Sequence, residues 1–320
     1  MYAIIALTLG FGLDLLIGDP HGVIHPVVLI GKLISALEKL LRRLFPKTPK
    51  AERIAGGVLW LAVVSITAGL SWSLLKLGYW VSPWLGLALQ TLMTAQILAT
   101  KSLKTESMKV YTALKNGTLT CARQAVSMIV GRDVEHLDEA GVARAAVETV
   151  AENTSDGILA PLFYLAIGGP VLGFFYKAVN TMDSMLGYVE PPYRDFGYVS
   201  AKMDDVFNFL PARLSALLML AAGTLLGMDG KNGWKIFRRD RFNHASPNSA
   251  QTESVCAGLM GLRLGGDAWY HGQLHKKKFI GDDLRPIQAE DIPAACRLLY
   301  CTAGLSLVLC LGLMLIPLFL

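Results

Sequence analysis

The sequence predicts an all-α, multi-pass integral membrane protein with about five to six spans and a cytosolic lobe of helices and loops. Hydrophobic residues make up 53% of its 320 residues, charged residues make up only 17%, and the mean hydropathy is +0.44. A soluble globular chain carries about 25% charged residues, so this chain has too few charges to cover a fully aqueous surface. Part of its surface is therefore expected to face lipid.

Six apolar segments are candidate membrane spans. A helix needs roughly 20 residues to cross about 30 Å of hydrocarbon. The candidates are 2–17, 54–81, 84–100, 158–176, 206–228 and 298–320. The first and third are marginal in length, and the first contains Asp14. No basic region precedes the first segment and no small-residue cleavage site follows it, so we predict a retained span rather than a signal peptide.

The placement of basic residues predicts the orientation in the membrane. Segments 32–53, 101–144 and 231–297 hold 7, 7 and 11 of the 30 Lys and Arg residues. Cytoplasmic loops carry the excess of positive residues, so all three segments are expected inside. If the spans simply alternate, 180–206 lies outside. That location conflicts with a role for its polar residues in binding cytosolic substrates.

We treat residues 1–320 as a single membrane domain. Its inside loops are predicted at about 18–53, 101–156 and 229–297. The five cysteines form no C-x-x-C pair and no cluster with histidine, so we expect neither a disulfide framework nor a zinc site. No glycine-rich phosphate loop of the P-loop or dinucleotide-binding type is present.

Acidic and histidine residues follow the first apolar segment. Asp14, Asp19, His21 and His25 are close together in sequence, in a stretch interrupted by proline. They could transfer protons or orient a substrate. The alternative, which spacing alone favours, is a rigid turn whose polar groups meet interfacial water.

An acidic stripe is predicted on the helix 138–156. Arg144, Glu148, Glu152 and Asp156 are four residues apart and would share one helix face. Magnesium binds carboxylate and phosphate oxygens, so the three acids are candidate ligands for Mg²⁺ bound with ATP. The alternative is a solvated face with a single Arg144–Glu148 pair.

Two mirrored polar triplets flank 180–206. Lys177, Asn180 and Asp183 lie where one apolar span ends, and Lys202, Asp205 and Asn208 lie where the next begins. Ionisable groups at membrane depth are costly and by default indicate a functional site. The alternative is a pair of interfacial helix ends whose side chains extend to water. If the triplets act on cytosolic substrates, the adjacent spans must be short, re-entrant or sheltered within the protein.

A basic run followed by polar residues forms the fourth cluster. Its candidate ligand-binding residues are Arg238, Arg239, Arg241, Asn248, Gln251 and Glu253. Arginine matches the geometry of phosphate and carboxylate groups. A topogenic anchor near lipid headgroups also explains the arginines, and we interpret Lys276, Lys277 and Lys278 as a run of that kind.

Five strings in this order resemble the CobD/CbiB family of cobalamin biosynthesis, the adenosylcobinamide-phosphate synthases. They are GDPHGVIHPV, VETVAENTSDGILAPLFY, KAVNTMDSMLGY, FGYVSAKMDDVFNFLPARL and DRFNHASPNSAQTESVCAG. Together they extend from residue 18 to residue 258, so the resemblance covers nearly the whole chain.

The resemblance implies an ATP-dependent amide ligase. It would join adenosylcobyric acid to (R)-1-amino-2-propanol O-2-phosphate and release ADP and phosphate. It also implies a bacterial or archaeal cell membrane, a site facing the cytoplasm, no nucleic-acid partner, and association with other enzymes of nucleotide-loop assembly. Ethanolamine phosphate is an alternative amine.

Combining that reaction with the four clusters gives each a candidate role. Glu148, Glu152 and Asp156 would hold Mg-ATP, and Lys177 or Lys202 would neutralise the transferred phosphoryl group. The three arginines would bind a phosphate, with Asn180, Asn208, Asn248, Gln251 and Glu253 as further ligand contacts. Asp183, Asp205 or His25 would take the proton from the attacking amine.

Two other functions fit a polar membrane protein. An AmpE-like membrane sensor is one, although we expect a pure sensor to lack the Lys177 triplet and the polar string around Gln251. A corrinoid transporter is the other, because intramembrane Lys, Asp and Asn could line a path. A transporter predicts inverted repeats of whole helical bundles, and only the short mirrored triplets are found.

Overall fold

The computed structural model describes residues 1–19, 25–188, 190–270 and 272–316. They form two compact units, whereas the sequence suggests one domain. The first unit comprises Met1–Ala99, Ala160–Asn208 and Cys310–Leu320, and the second comprises Thr100–Leu159 and Phe209–Leu309. His21, a member of the first predicted cluster, lies outside the described residues.

The described chain is mainly α-helical, as predicted. In chain order the helices are α1 (Tyr2–Ile17), α2 (Pro26–Leu44), α3 (Pro49–Val81), α4 (Pro83–Ile97), α5 (Thr100–Asn116), α6 (Leu119–Ser127), α7 (Glu139–Asn153), α8 (Ala160–Leu186), α9 (Tyr198–Phe207), α10 (Phe209–Leu225), α11 (Gly230–Asp240), α12 (Ser249–Met260) and α13 (Asp291–Leu315). A π-helical turn, Thr154–Leu159, lies between α7 and α8.

Four short strands, absent from the sequence prediction, lie between α12 and α13. Strands β1 (Leu264–Gly265) and β4 (Phe279–Ile280) pair antiparallel, and β2 (Ala268–Tyr270) pairs antiparallel with β3 (Gln273–His275). At two or three residues each, these strands are too short to give a periodic hydrophobic pattern.

The predicted count of five to six spans is not confirmed. Three helical stretches are long and apolar enough to cross a membrane, namely Pro49–Val81, Glu139–Leu186 and Asp291–Leu315. A fourth is possible if α9 and α10, which are bent by 48°, count as one span. Helices α1 and α4 contain only 16 and 15 residues, which is below the length of a perpendicular crossing.

Helix α8 doubles back on itself. Gly168 and Gly169 have non-helical dihedral angles, Gly169 with φ of 59°, and Pro170 follows them. The rings of Tyr164 and Tyr176 stack with centroids 5.0 Å apart. Twelve residues of straight helix would separate these tyrosines by about 18 Å. The segment Ala160–Leu186 is therefore a helical hairpin, which matches the re-entrant alternative for this region.

Two arginines hold the loop between α8 and α9. The guanidinium of Arg42 donates to the Pro192 carbonyl at 3.0 Å and lies 4.2 Å from the ring centroid of Phe196. Arg53 donates to Asp195 at 2.8 Å. The loop thus packs on the basic segment 32–53. The α8 hairpin thus returns the chain towards the segment 32–53, and the side of the membrane on which 180–206 lies stays a prediction.

The core of the second unit is built around α12. Residues 250–260 are all buried. Helix α11 crosses α12 at two glycines, since a Cβ atom added to Gly258 would lie 2.7 Å from the Cα atom of Gly233. The absence of side chains there permits the close approach. The crossing anchors the chain that runs from α11 into α12, a segment that forms part of the candidate site.

Single-cysteine labelling tests the return of the chain at α8. We expect Arg194→Cys and Lys47→Cys to react with a membrane-impermeant maleimide from the same side of sealed vesicles. Pro83→Cys, beyond the 33-residue α3, should react from the other side. The background would carry Cys121→Ser, since Cys121 is the exposed cysteine among the described residues. Labelling of Arg194→Cys together with Pro83→Cys would contradict the hairpin.

Candidate functional site

A cavity of about 580 Å³ lies within the second unit. Its volume is within the range of small-molecule sites in proteins. Its walls come from the segment before α7, from α7 itself, from the α11–α12 connection and from the strand region. The lining residues are 129–132, Glu148, Thr149, Glu152, Asn153, 242–246, Ser249, Glu253, Gly265, Gly266, Tyr270 and 276–278.

Three glutamates form the acidic wall. Glu148 and Glu152 lie one turn apart on α7, and Glu253 comes from the buried α12. Asp138 caps the start of α7 by accepting from the backbone N–H of Gly141 at 2.7 Å, which fixes the register of the helix. The side chain of Ser249 hydrogen bonds to Glu152 and links the two helices at this wall.

Both carboxylate oxygens of Glu148 are already engaged. The guanidinium of Arg132 pairs with one oxygen, and the backbone N–H of Gly265 donates to the other at 2.6 Å. Gly265 has φ of 70°, a conformation that favours glycine. Glu148 therefore joins α7 to the loop before it and to β1, and it is already neutralised by Arg132.

Glu253 and His244 face each other in the cavity wall. The Nε2 atom of His244 lies 3.5 Å from the Oε2 atom of Glu253, and neither atom makes a hydrogen bond to a described residue. Burial, and then the negative charge of Glu152, raise the pKa of Glu253 well above its ordinary range. Burial, and then the positive charge of Lys277, lower the pKa of His244 to about 4. His244 is thus neutral near pH 7.

Three lysines form the basic side of the cavity. Lys276, Lys277 and Lys278 are exposed and follow β3 directly. The ammonium of Lys277 donates to the hydroxyl of Tyr270 at 2.7 Å, and the backbone N–H of Lys277 donates to Asp267 at 3.2 Å. The strand pair thus presents cations opposite buried carboxylates, an arrangement suited to a ligand that carries both phosphate and a cation.

Comparison with known proteins identifies the family. A family model described as CobD/Cbib protein matches residues 7–299. The chain belongs to the CobD/Cbib family. It is 47% identical over 307 residues to the cobalamin biosynthesis protein CobD of Clostridium perfringens, which covers 96% of each chain. It is 45% identical over 306 residues to CbiB of Salmonella typhimurium, again over 96% of each.

A third relative agrees with these two, the CobD protein of Pelobacter propionicus. It is 48% identical over 296 residues, which are 92% of this chain and 90% of that protein. No solved structure is detectably similar. The predicted resemblance is confirmed, and the chain has a role in cobalamin biosynthesis.

The predicted magnesium stripe is only partly assembled in this CobD/Cbib protein. Glu148 and Glu152 line the cavity, whereas Asp156 lies in the π-helical turn and does not. The π-turn shifts the helical register, so a spacing of four no longer places Asp156 on the same face. Across the described ranges, no three His, Cys, Asp or Glu residues are grouped to hold a metal. The alternative Arg144–Glu148 pair is not formed either, because Arg132 takes that place.

The predicted arginines lie outside the cavity lining. Arg239 pairs with Asp240 and with Asp282, at 2.7 Å to each. Arg241 lies over the rings of Phe237 and Phe242 at 5.2 and 4.7 Å, and Arg238 is exposed. The predicted contact of these arginines with the aminopropanol phosphate or the nucleotide stays a prediction.

Asn248 and Gln251 lie next to the cavity but do not line it. Asn248 accepts from Arg213 at 3.0 Å. The buried amide of Gln251 donates to the carbonyls of Arg241 and Pro247 at 3.2 and 2.9 Å. Both side chains hold the loop 242–246 in place rather than line the cavity, whereas Glu253, predicted with them, does line it.

The remaining predicted residues belong to the first unit. His25 caps α2 by accepting from the backbone N–H of Val27 at 3.3 Å, and its other ring nitrogen lies 3.3 Å from Asp19. Lys202 donates to Asp205 at 3.2 Å. The other members of the triplets are Lys177, Asn180, Asp183 and Asn208. Their roles in the reaction stay predictions.

Several lining residues had no strong signal in the sequence. Arg132 is a single cation between an apolar stretch and the acidic segment 133–139, and Gly265 and Gly266 resemble any loop. Lys276, Lys277 and Lys278 were interpreted as a topogenic run, and the structure places them at the cavity. A tyrosine six residues before the three lysines was the available clue, because aromatic and cationic side chains often share ligand sites.

The substitution Glu148→Gln tests the Glu148 junction. It removes the carboxylate that neutralises Arg132 but keeps the shape of the side chain. We expect the free energy of unfolding to fall by about 1–3 kcal/mol, because a partly buried guanidinium loses its partner. Thermal unfolding in detergent measures this. Glu139→Gln, an exposed position at the start of the same helix, is the control, and equal unfolding temperatures for the two variants would contradict the assignment.

Proposed function

We propose that the protein is an ATP-dependent amide ligase that joins adenosylcobyric acid to (R)-1-amino-2-propanol O-2-phosphate. The observation that carries the proposal is the cavity in which Glu152 and Glu253 face Lys276, Lys277 and Lys278, in a member of a cobalamin biosynthesis family. An amide ligase that uses ATP must bind a polyphosphate and its cation together. The opposed charges of this cavity suit such a ligand.

The reaction proceeds in two balanced steps. A propionate oxygen of the corrinoid attacks the γ-phosphorus of ATP, the bond from that phosphorus to the β–γ bridging oxygen breaks, and ADP leaves. The nitrogen of aminopropanol phosphate then attacks the acyl phosphate carbon, the carbon–oxygen bond to phosphate breaks, and phosphate leaves. The nitrogen gives up one proton to a base. Catalysis in such steps comes mainly from positioning and from stabilisation of charge.

The cavity residues take the roles that their chemistry suits. Lys277 and its neighbours bind the phosphate oxygens, and Arg132 supports them while paired to Glu148. Magnesium bound with ATP would be held at the acidic wall, where the Oε2 atom of Glu253 lacks a hydrogen bond from the described residues. Bound there, it would offset phosphate charge.

Residues of the first unit keep their proposed roles. Lys177 and Lys202 remain candidates for neutralising the transferred phosphoryl group. Asp183, Asp205 and His25 remain candidates for accepting the proton of the amine, since only the neutral amine is nucleophilic. Asn180 and Asn208 would contact a ligand.

We place the enzyme in the bacterial or archaeal cell membrane with its cavity facing the cytoplasm. The apolar helices support a membrane location. The corrinoid, ATP and the amino alcohol phosphate are cytoplasmic metabolites in this proposal. Neighbouring enzymes of nucleotide-loop assembly are its proposed partners.

An omission assay tests the function. Purified protein in detergent is incubated with ATP, adenosylcobyric acid and aminopropanol phosphate, and each component is left out in turn. We expect ADP release and a corrinoid product heavier by the aminopropanol phosphate arm only when all three are present. Corrinoid uptake into vesicles without ATP consumption would instead indicate a transporter, and binding without turnover would indicate a sensor.

Neutralising one lysine tests the basic side of the cavity. We expect Lys277→Gln to raise the KM for ATP by about 10-fold or more, because a hydrogen bond to a charged group contributes about 1.5–3 kcal/mol. Steady-state ADP formation measures this. Lys231→Gln is the matched control, since Lys231 is an exposed lysine on α11 that does not line the cavity. An unchanged KM in Lys277→Gln would remove this lysine from the ATP site.

A further inference from the structure

Helix α11 buries one face and exposes the opposite one. The buried residues pack towards α12 and are Gly233, Ile236, Phe237 and Asp240. The exposed residues are three or four positions apart and are Lys231, Trp234, Lys235 and Arg238. Residues at these spacings share one face of a helix. The solvent side of α11 is therefore a continuous stripe of three cations around one tryptophan, which we call the α11 stripe.

One carboxylate beside the stripe is shared between two cations. Asp282 lies 2.7 Å from Arg239 and 3.5 Å from Lys235. Arg239 also pairs with the buried Asp240 at 2.7 Å. Arg239 is thus engaged by two acids, whereas Lys235 makes only the longer contact to an acid that Arg239 already neutralises.

The two ends of the stripe carry cations that no acid neutralises. Across the described ranges, neither Lys231 nor Arg238 makes an ion pair. Asp229, the acid closest to Lys231 in sequence, caps α11 by accepting from the backbone N–H of Asn232 at 2.9 Å. The stripe therefore keeps an excess of positive charge on its surface.

The stripe lies just beyond the end of an apolar helix. Helix α10 ends at Leu225, which is 71% exposed, and α11 begins after four further residues. The carbonyl oxygen of Ala222, in the last turn of α10, lies 3.9 Å from the Sγ atom of Cys301 in α13. Helix α13 is a candidate span, and Cys301 is close to the start of its apolar segment 298–320. The end of α10 and the start of the apolar part of α13 are thus at the same level, where the boundary of a membrane would lie.

The tryptophan distinguishes this stripe from an ordinary solvated helix face. Trp234 is 44% exposed although it is large and mostly apolar, and the centroid of its ring lies 5.6 Å from that of Phe237. Water solvates lysine and arginine well but gives no reason to expose an indole between them. Tryptophan is enriched at the boundary between lipid and water, and helices that combine it with Lys and Arg lie in that boundary.

We propose that the α11 stripe binds the anionic headgroups of the membrane. Lys231, Lys235 and Arg238 would contact lipid phosphates, and Trp234 would lie among the headgroups. The occupant is an anionic phospholipid, because the excess positive charge of the stripe is complementary to it. None of the four residues lines the cavity, so the proposal does not rest on the ligase function.

Fluorescence quenching at Trp234 tests the contact. The full-length protein is reconstituted into phosphatidylcholine vesicles that contain increasing fractions of brominated phosphatidylglycerol, or the same fractions of brominated phosphatidylcholine. The signal of Trp234 is the difference between wild type and Trp234→Phe. We expect the anionic lipid to quench this signal at a lower fraction than the neutral lipid does. The difference should decrease in about 1 M NaCl, where the Debye length is about 3 Å.

Charge variants connect the quenching to the stripe. Lys231→Gln combined with Arg238→Gln should weaken the apparent association of phosphatidylglycerol by about 5-fold for each cation, because one Lys or Arg near an anionic surface contributes about 1 kcal/mol. Lys231→Arg combined with Arg238→Lys keeps both charges and should behave as wild type. Arg43→Gln combined with Lys50→Gln is the matched control, since it removes one exposed arginine and one exposed lysine from the segment 32–53 and should leave the Trp234 signal unchanged.

Three outcomes would overturn the proposal. Equal quenching by the anionic and the neutral lipid would show a helix at the membrane surface without selectivity for charge. Quenching by neither lipid would show that α11 is away from the bilayer, as when a second copy or another protein covers the stripe. Displacement of phosphatidylglycerol by inorganic phosphate at constant ionic strength would assign the cations to a soluble anion. No ATP or corrinoid is present in these measurements, so the omission assay and the lipid contact can fail separately.

Discussion

The burial of three carboxylates against one cavity is the constraint on which the second unit depends. Carboxylates leave water only when cations or donors replace it, and Arg132 and Gly265 do so for Glu148. Satisfying Glu148 joins α7 to the loop before it and to β1, and this fixes the cavity walls. The same requirement is left open at the Oε2 atom of Glu253, which makes no hydrogen bond to a described residue, and this makes the cavity a place for a ligand. Both the packing around Glu148 and the capacity of the cavity to bind a ligand thus depend on the cost of removing carboxylates from water.

A second constraint acts in the first unit, where the polar segment 180–206 continues from the apolar helix α8. The hairpin in α8 is formed by Gly168, Gly169 and Pro170, which end one helix and begin the next. Arg42 and Arg53 then fasten the returning loop to the basic segment 32–53. The rings of Tyr164 and Tyr176 stack between the two halves of this hairpin. The two polar triplets lie at the ends of the segment that contains this returning loop.

Much of the fold could be predicted from composition and pattern, but not the path of the chain. The shortage of charge predicted lipid exposure, and the helix predicted over 138–156 corresponds to α7 and the start of the π-helical turn. The predicted number of spans was not confirmed, because hydropathy counts apolar residues and cannot distinguish a helix that crosses from one that doubles back. At the site, Glu148, Glu152 and Glu253 were all named, since acids in apolar helices are conspicuous. Arg132 and Tyr270 were missed, because a single cation in a loop or an aromatic in a three-residue strand has no period to reveal it.

The sequence by itself determined the family, the helical class and the chemical character of the site, because five ordered strings and clustered charges are local properties of the chain. Only the tertiary structure decided which charges meet. It paired Glu148 with Arg132 rather than with Arg144, and it paired Arg239 with Asp240 and Asp282. It also placed Lys276, Lys277 and Lys278, which follow β3, in the same cavity as the acidic wall. Most of these are contacts between residues far apart in sequence, and their energies depend on burial and distance, which linear spacing does not specify.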